Sequence, residues 1–509
     1  MNKYILKAVM CSALVATGLT SCELDQYPNT ALVTDESWQK PSDAENYNNG
    51  ILAYFRSLSG GATSVSETQA DLFNLRNTAV SNYRVYNWTF TNSQFDGDAL
   101  WSGSYTAIAN ANNVINNIHK VEVAEGDAAT QQLLNHYKGN ALLLRAYALS
   151  NMAPRYCKEY VNDDVAKGVL GLPLLTEVDV NKKPARASLY DTYQFIMSDL
   201  QQARKLMNDE ANTDYATLSS NVAEALEARV LLRMGKYKEA LDTVADLLTR
   251  YQLTTDADKY AEMWKNDVSD FGVELIYEPQ MIPDDRGSFY DLFESYSDAT
   301  GFWNPEYLPT QGLIDLYDEE DNRLFTFFRA YNDDAEGNPD YSNPVVILCG
   351  DIQTEGVVLN KFPGNASLKK GSDGTVFYNM PKPFRVAELY LIGAEASYQL
   401  NGTDGGYLKT LRAARGLTSA LPSGAPLFSM IKDEWTREFV GENFRLDNLK
   451  RWGDGFTRMA PQELEAGSLS NAAPTQGFTI QPDDQRWIWE IPSQDLQANS
   501  NLQRNWSRQ

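Results

Sequence analysis

The chain has 509 residues, 43% hydrophobic and 11% aromatic, which supplies apolar side chain for a large core in one large domain or two to four small ones. Its formal net charge is −24, and taking away a leader that carries Lys3 and Lys7 makes it −26, a field that repels DNA, RNA and anionic lipid surfaces. Four cysteines, Cys11, Cys22, Cys157 and Cys349, give no disulfide framework; Cys157 and Cys349, far apart in sequence, read as buried, inert thiols more readily than as a pair.

Lys3 and Lys7 precede AVMCSALVATGL, an apolar run ending in small residues, so residues 1–21 read as a secretory signal too short to anchor by itself. The leader closes on Leu19-Thr20-Ser21-Cys22, which resembles a bacterial lipobox. Thioether formation needs a thiolate, so Cys22 is the residue expected to carry the lipid. Two or three acyl chains then hold the protein on a membrane, each buried methylene contributing about 0.8 kcal/mol. Residues 22–35, polar with one proline, read as a lipidated tether.

Residues 36–56 predict a helix after Pro41, capped by Ser42 or Asp43, whereas 57–98 has loop composition with interleaved Tyr83, Tyr86, Trp88 and Phe90. Apolar residues at helical spacing return from Leu100 to Ile118, and 130–153 supplies an antiparallel partner. Pro173 and Pro184 bracket an extended crossing, and 188–207 is an amphipathic helix. Residues 222–249 predict two short helices folded back at Gly235, with Asn221 and Glu224 as a capping box and stripes at Val222, Leu226, Val230 and at Leu241, Val244, Leu248. The turn R-M-G-K-Y-K-E-A-L resembles that of a tetratricopeptide unit, which cannot bury its own face and so implies further stacked helix pairs. Residues 268–385 break the pattern: short β-prone runs such as VELIYE and VVILCG lie between Pro, Gly and Asp clusters, with a helix expected around 310–330. Helical periodicity resumes at 384–400, pairs with 405–416 and recurs at 430–452.

Three runs then carry a family resemblance. FRVAELYLIGAEA at 384–396, EWTREFVGENFRLDNLKRWG at 434–453 and WIWEIPSQDLQANSNLQRNW at 487–506, in that order and together with the lipobox, resemble the SusD/RagB family of bacterial outer-membrane lipoproteins. CELDQYP, LPTQGLIDLYDEEDNR, VLNKF and the closing NW look more like RagB than like the starch-binding SusD. The resemblance implies a mainly α fold: tetratricopeptide-like hairpins forming a scaffold at about 100–267 and 384–453, a loop-rich lobe at about 268–383, and a single family domain over 36–509. It also implies a non-catalytic, surface-exposed outer-membrane subunit that takes up an oligosaccharide or oligopeptide and passes it to a TonB-dependent SusC/RagA-type β-barrel transporter.

The charged residues of 434–453 lie three or four apart and read as pairs along one helix face and across its turn at Gly441, with a structural task. Trp487, Trp489 and Trp506 read as packing for the C-terminal segment. A catalytic reading has little support, since His119 and His136 are the chain's only histidines and both fit helix surfaces. Asp318, Glu319, Glu320 and Asp321 read as an exposed helix face. No cofactor is expected; the acidic loops would admit a structural calcium ion, although no EF-hand spacing is present. Sugars and peptide side chains both need flat apolar platforms flanked by polar groups, and two loops have that mixture. One offers Asp71, Tyr83, Tyr86, Trp88 and Asp96; the other offers Tyr290, Tyr296, Phe302, Trp303, Asn304 and Tyr307. The ligand-binding set expected from them is Trp303, Trp88, Tyr296, Tyr307, Asn304 and Asp71. Trp303 leads because it lies between Gly301 and Pro305 in a polar loop, where an exposed ring would otherwise want a reason. Each of these aromatics has the plainer use of burying area. Two other readings remain at this point, a secreted glycoside hydrolase and a tetratricopeptide scaffold that binds only proteins.

Overall fold

The scaffold grows outward from one helix whose middle is buried on every side. In the computed structural model, which describes residues 37–505 except 61–62, 77–80, 91–97, 180, 267–273, 286–291, 335–337, 372 and 466–476, the long helices are α1 (Pro41–Gly60), α2 (Asp98–Asn117), α3 (Ala128–Tyr156), α4 (Leu189–Met207), α5 (Ser220–Arg233), α6 (Tyr237–Leu247), α7 (Val386–Asn401), α8 (Tyr407–Ala414), α9 (Ala425–Phe439) and α10 (Arg445–Trp452). Every residue of α3 from Gly139 to Leu149 is buried, so this stretch has no solvent face and must be covered all round. It packs on α1, α2 and α4; α4 passes the stack to α5, α5 to α6, and α6 to α7, against which α8 and α9 lie. One continuous apolar core runs from Phe55 through Leu143 and Leu226 to Ile392 and Trp435. The fold is mainly α, with most of its short strands in the lobe.

Local chemistry sets the helix ends. Asp127 caps α3 by accepting from the Thr130 amide, Ser188 caps α4 by accepting from Asp191, and Asn208 ends α4 in the left-handed region. The α5–α6 turn is made at Gly235, φ 69°. The expected capping box does not form. Ser219 precedes the helix, Asn221 turns inward to donate to the carbonyls of Glu210 and Asn212 (3.1 and 2.8 Å), and Glu224 is taken by Arg204 and Arg250. A buried carboxylate with two guanidinium partners is already satisfied and does not reach back to the helix start.

Between α6 and α7 the chain forms small sheets, joined by one strand from 73–75. Their strands are β1 (Phe73–Leu75), β2 (Leu275–Tyr277), β3 (Tyr296–Ser297), β4 (Phe302–Trp303), β5 (Tyr307–Pro309), β6 (Phe328–Arg329), β7 (Tyr331–Asp333), β8 (Pro339–Pro344), β9 (Val346–Cys349), β10 (Ile352–Glu355), β11 (Val358–Leu359) and β12 (Phe384–Arg385). The largest has order β10-β9-β4-β3, with β4 and β9 parallel at Trp303 and Ile347. β7 and β8 form a separate antiparallel hairpin. Segment 57–98 is less irregular than its composition implies, since it holds a helix at Thr63–Gln69, strand β1 and a helical turn at Tyr83–Tyr86. The helix expected around 310–330 is two short ones, Gln311–Ile314 and Asn322–Phe327.

Buried charge joins lobe to scaffold. Glu438 of α9 accepts from Arg415 after α8, Arg385 of β12 and Arg323 of the lobe; Glu274 accepts from Arg385 and Arg415, and Glu434 from Arg323 and Arg412. The side chains of Arg323, Arg385, Glu434 and Glu438 are 0% exposed. The expectation of modest pairs along one helix face is therefore corrected: Glu434–Arg437 is such a pair, but the partners of Glu438 come from remote segments. Asp321 is likewise not part of an exposed acidic face, because it is buried, caps the following helix and binds Arg323.

Candidate functional site

The two loops expected to hold ligand do come together, through backbone and buried rings. β1 pairs antiparallel with β5, placing Leu75 opposite Tyr307, and Arg76 donates to the Asn304 carboxamide at 2.6 Å. The side chains then fill the interior.

Trp88 is fully buried; its indole N–H donates to the Gln69 carbonyl at 2.9 Å and its ring meets Trp487 edge-on at 5.1 Å. Tyr86 is buried beneath the Arg458 guanidinium. Asp71 is buried and makes a two-pronged pair with Arg445 at 2.8 and 2.7 Å. Tyr307 is buried and donates its hydroxyl to the Ser81 carbonyl at 2.5 Å. These four are buried because Trp88, Tyr86 and Asp71 close the gap between 66–90 and the C-terminal segment, and Tyr307 closes that between 66–90 and β5. Trp489 completes that seam by donating to the Gln69 carboxamide at 2.9 Å. Asp96, Tyr290, Trp506 and the acylation candidate Cys22 lie outside the described residues.

Trp303 is 4% exposed, so the ring expected to stand free in its loop is covered. It packs against Tyr296 at 5.4 Å and Phe377 at 5.7 Å, and its indole N–H donates to the Asn332 carboxamide oxygen at 3.1 Å. Tyr296 is half-buried and Asn304 exposed.

What sequence reasoning passed over is the hairpin that Asn332 belongs to. Tyr341 is 74% exposed and Tyr331 37%, with ring centroids 5.2 Å apart at 63°. A signal for it was present, since a tyrosine stands on each side of the turn-forming stretch NDDAEGNPD.

A cavity of about 130 Å³ lies deeper, between α3, α5, α7 and α10. Its arginines are engaged: Arg229 with Glu388, Arg233 with Glu159, Arg155 with Asp447 and Arg451 with Glu395. Beside it, burial pushes the Glu67 carboxyl up to about 7 although the Asn443 amide donates to it, and burial pushes the Lys450 ammonium down to about 7. These are groups of a packed interior. Among the described residues no cluster of three or more His, Cys, Asp or Glu has the arrangement to hold a metal ion. Cys157 and Cys349 are both free and buried.

Comparison with known proteins places this geometry. The model of the SusD family matches residues 288–507, and a second, described as starch-binding associating with outer membrane, matches 35–232. The starch-binding protein SusD of Bacteroides thetaiotaomicron is 26% identical over 153 residues, 30% of this chain and 26% of that protein's length. A SusD superfamily protein from Bacteroides thetaiotaomicron superposes with TM-score 0.72 at 24% identity, covering 92% of this chain and 100% of the other. A SusD-like carbohydrate binding protein from Bacteroides vulgatus gives TM-score 0.72 at 20% identity over 93% and 99% of the two chains.

Proposed function

The chain belongs to the SusD/RagB family, and from that premise we propose that it is a non-catalytic lipoprotein of the outer-membrane surface that captures oligosaccharides and delivers them to a TonB-dependent SusC/RagA-type barrel. The observation that carries this reading is that 92–93% of the chain, scaffold and lobe together, superposes on solved SusD-like structures, one of them named as carbohydrate binding. The names of the relatives favour a glycan over the oligopeptide that the RagB-like strings had left open.

The chemistry of the interior supports binding without turnover. Glu434, Glu438 and Asp321, the buried carboxylates of the lobe junction, are occupied by arginines and sit where no substrate reaches them. His119 and His136 lie on the outside of the scaffold, His136 beside Asp209 at 3.6 Å. Attachment through Cys22 follows from the Leu19-Thr20-Ser21-Cys22 string.

The test is direct. Labelled fatty acid should enter the wild-type protein and not Cys22→Ala; affinity purification from the native membrane should bring down a large β-barrel; and a panel of oligosaccharides should be bound and recovered at unchanged length. Shortened oligosaccharide, or retention of label in Cys22→Ala, would refute the corresponding part.

A further inference from the structure

We propose that the β7–β8 hairpin is the carbohydrate contact surface, with Tyr341 and Tyr331 receiving a neutral sugar ring; this rests on the glycan-capture reading above.

Exposure singles out the place. Tyr83, Phe325, Tyr331 and Tyr341 are the exposed aromatics among the described residues, and of these Tyr331 and Tyr341 meet each other. Two rings at 63° form an open corner, one face offered to the C–H face of a pyranose and the second ring walling its edge. Next to Tyr341 along β8, Ser342 and Asn343 are exposed and carry groups that match sugar hydroxyls, the Ser342 hydroxyl already donating to Asp340 at 2.6 Å.

The corner is held in place before any ligand arrives. Asn332, next to Tyr331, accepts from buried Trp303 through its oxygen and donates through its nitrogen to the Asn343 carboxamide and Pro344 carbonyl, both at 3.2 Å. Arg329, at the foot of the hairpin, pairs with Asp333 at 2.9 Å and bonds Asn360 at 3.0 Å. Pro339 and Pro344 fix φ at the two ends of β8. Little ordering remains to be done on binding.

Charge sets the class of sugar. The described residues of the hairpin carry Asp333, Asp334 and Asp340 and no Lys or Arg, within a chain of net charge −24. Arg329 offsets one of these. A uronate oligomer would meet repulsion at the point of contact, whereas a neutral glucan or xylan would not.

The experiment is calorimetric titration of the full chain with malto-, laminari- and xylo-oligosaccharides, oligogalacturonate and a basic oligopeptide. It is repeated on Tyr331→Ala/Tyr341→Ala and on Tyr341→Leu, with melting temperature as the folding control. The expected result is binding of at least one neutral oligosaccharide, weakened about tenfold or more in the double variant at an unchanged melting temperature. Tyr341→Leu keeps apolar volume without a ring and should also weaken it. Neutral-glycan binding that survives in both variants overturns the platform while leaving capture intact. Binding of oligogalacturonate or peptide alone overturns the class, and binding of nothing by the wild type overturns the capture reading and the platform with it.

Discussion

Replacing Glu438 with glutamine should lower the melting temperature by about 3–5 °C, a figure that follows from what surrounds it. The carboxylate is 0% exposed and accepts from Arg415 at 3.0 Å, Arg385 at 2.8 Å, Arg323 at 3.0 Å and the Tyr260 hydroxyl at 3.1 Å. Glutamine fills the same volume, removes the charge, and turns one acceptor into a donor aimed at guanidinium donors. Breaking a buried pair from one side costs about 3–5 kcal/mol. With an unfolding entropy of ~2.1 cal/mol/K per residue, a chain of this length changes by about 1 kcal/mol per degree, which gives the shift stated. Scanning calorimetry would read it. Asp242→Asn is the control, because the Lys238–Asp242 pair is 75% and 68% exposed and its loss should leave the midpoint unmoved. The pH dependence has a definite sign. Burial pushes the Glu438 carboxyl up, but Arg415, Arg385 and Arg323 outweigh it and hold it well below the usual carboxylate range. A group depressed on folding stabilises above its unfolded pKa and loses that contribution as pH falls through the folded value. The gap between wild type and variant should therefore persist from neutral pH down to about pH 4.5 and close only in stronger acid. A midpoint for Glu438→Gln within about 1 °C of wild type, or the same shift in Asp242→Asn, would refute the argument that this network joins lobe to scaffold.

Three further outcomes follow from single side chains. Trp88→Ala empties a fully buried site against Trp487 and Phe456, so chemical denaturation should show a loss of about 3–5 kcal/mol while folded protein keeps its glycan affinity. Glu67→Gln tests the reverse linkage, since burial pushes this carboxyl up to about 7. The wild type should match the variant near pH 4.5, fall behind as pH rises, and trail by roughly 3–4 kcal/mol above pH 7 in urea titrations. Gly393→Ala would set a methyl group 2.8 Å from the Tyr407 ring, forcing α8 off α7, and should destabilise by about 1–3 kcal/mol.

The legible parts of the sequence were those whose signals are local. The expected helix at 188–207 is observed as Leu189–Met207 because Ser188 caps it and Asn208 stops it, and that at 384–400 as Val386–Asn401, ended by Gly402. Gly235 marked the hairpin turn because a left-handed φ of 69° suits glycine. The errors share the opposite property. Glu438 sits in a run whose spacing fits pairing along one helix, yet its partners Arg323, Arg385 and Arg415 lie up to 115 positions away. Asn221 and Glu224 fit a capping box, yet Arg204, Arg250 and the 210–212 turn bid for them more strongly. Polar composition at 57–98 implied loop, yet Glu67, Gln69 and Asp71 are polar because they hold the buried termini of other segments. A polar residue in a loop and a polar residue tying two chain segments together look alike in one dimension.

The same ambiguity explains why the structure buries the ring that the sequence puts on display and exposes another. Gly301 and Pro305 frame Trp303 as if it were a ring on display, but β4 is an interior strand between β3 and β9, and an interior strand backed by Phe377 covers what it carries. Tyr341 stands among equally polar neighbours on a hairpin that is two-stranded among the described residues, and its ring is 74% exposed. Sequence composition is nearly the same at the two places; pairing order decides. The two rings are nevertheless mechanically related, because the Trp303 indole holds Asn332, and Asn332 holds the strand on which Tyr331 stands. Trp303→Ala should thus weaken glycan binding indirectly, through a loosened hairpin. The distinction can be measured: amide exchange in 331–334 should quicken in Trp303→Ala and stay unchanged in Tyr341→Ala. Equal protection in wild type and Trp303→Ala would break the link between the buried ring and the exposed one.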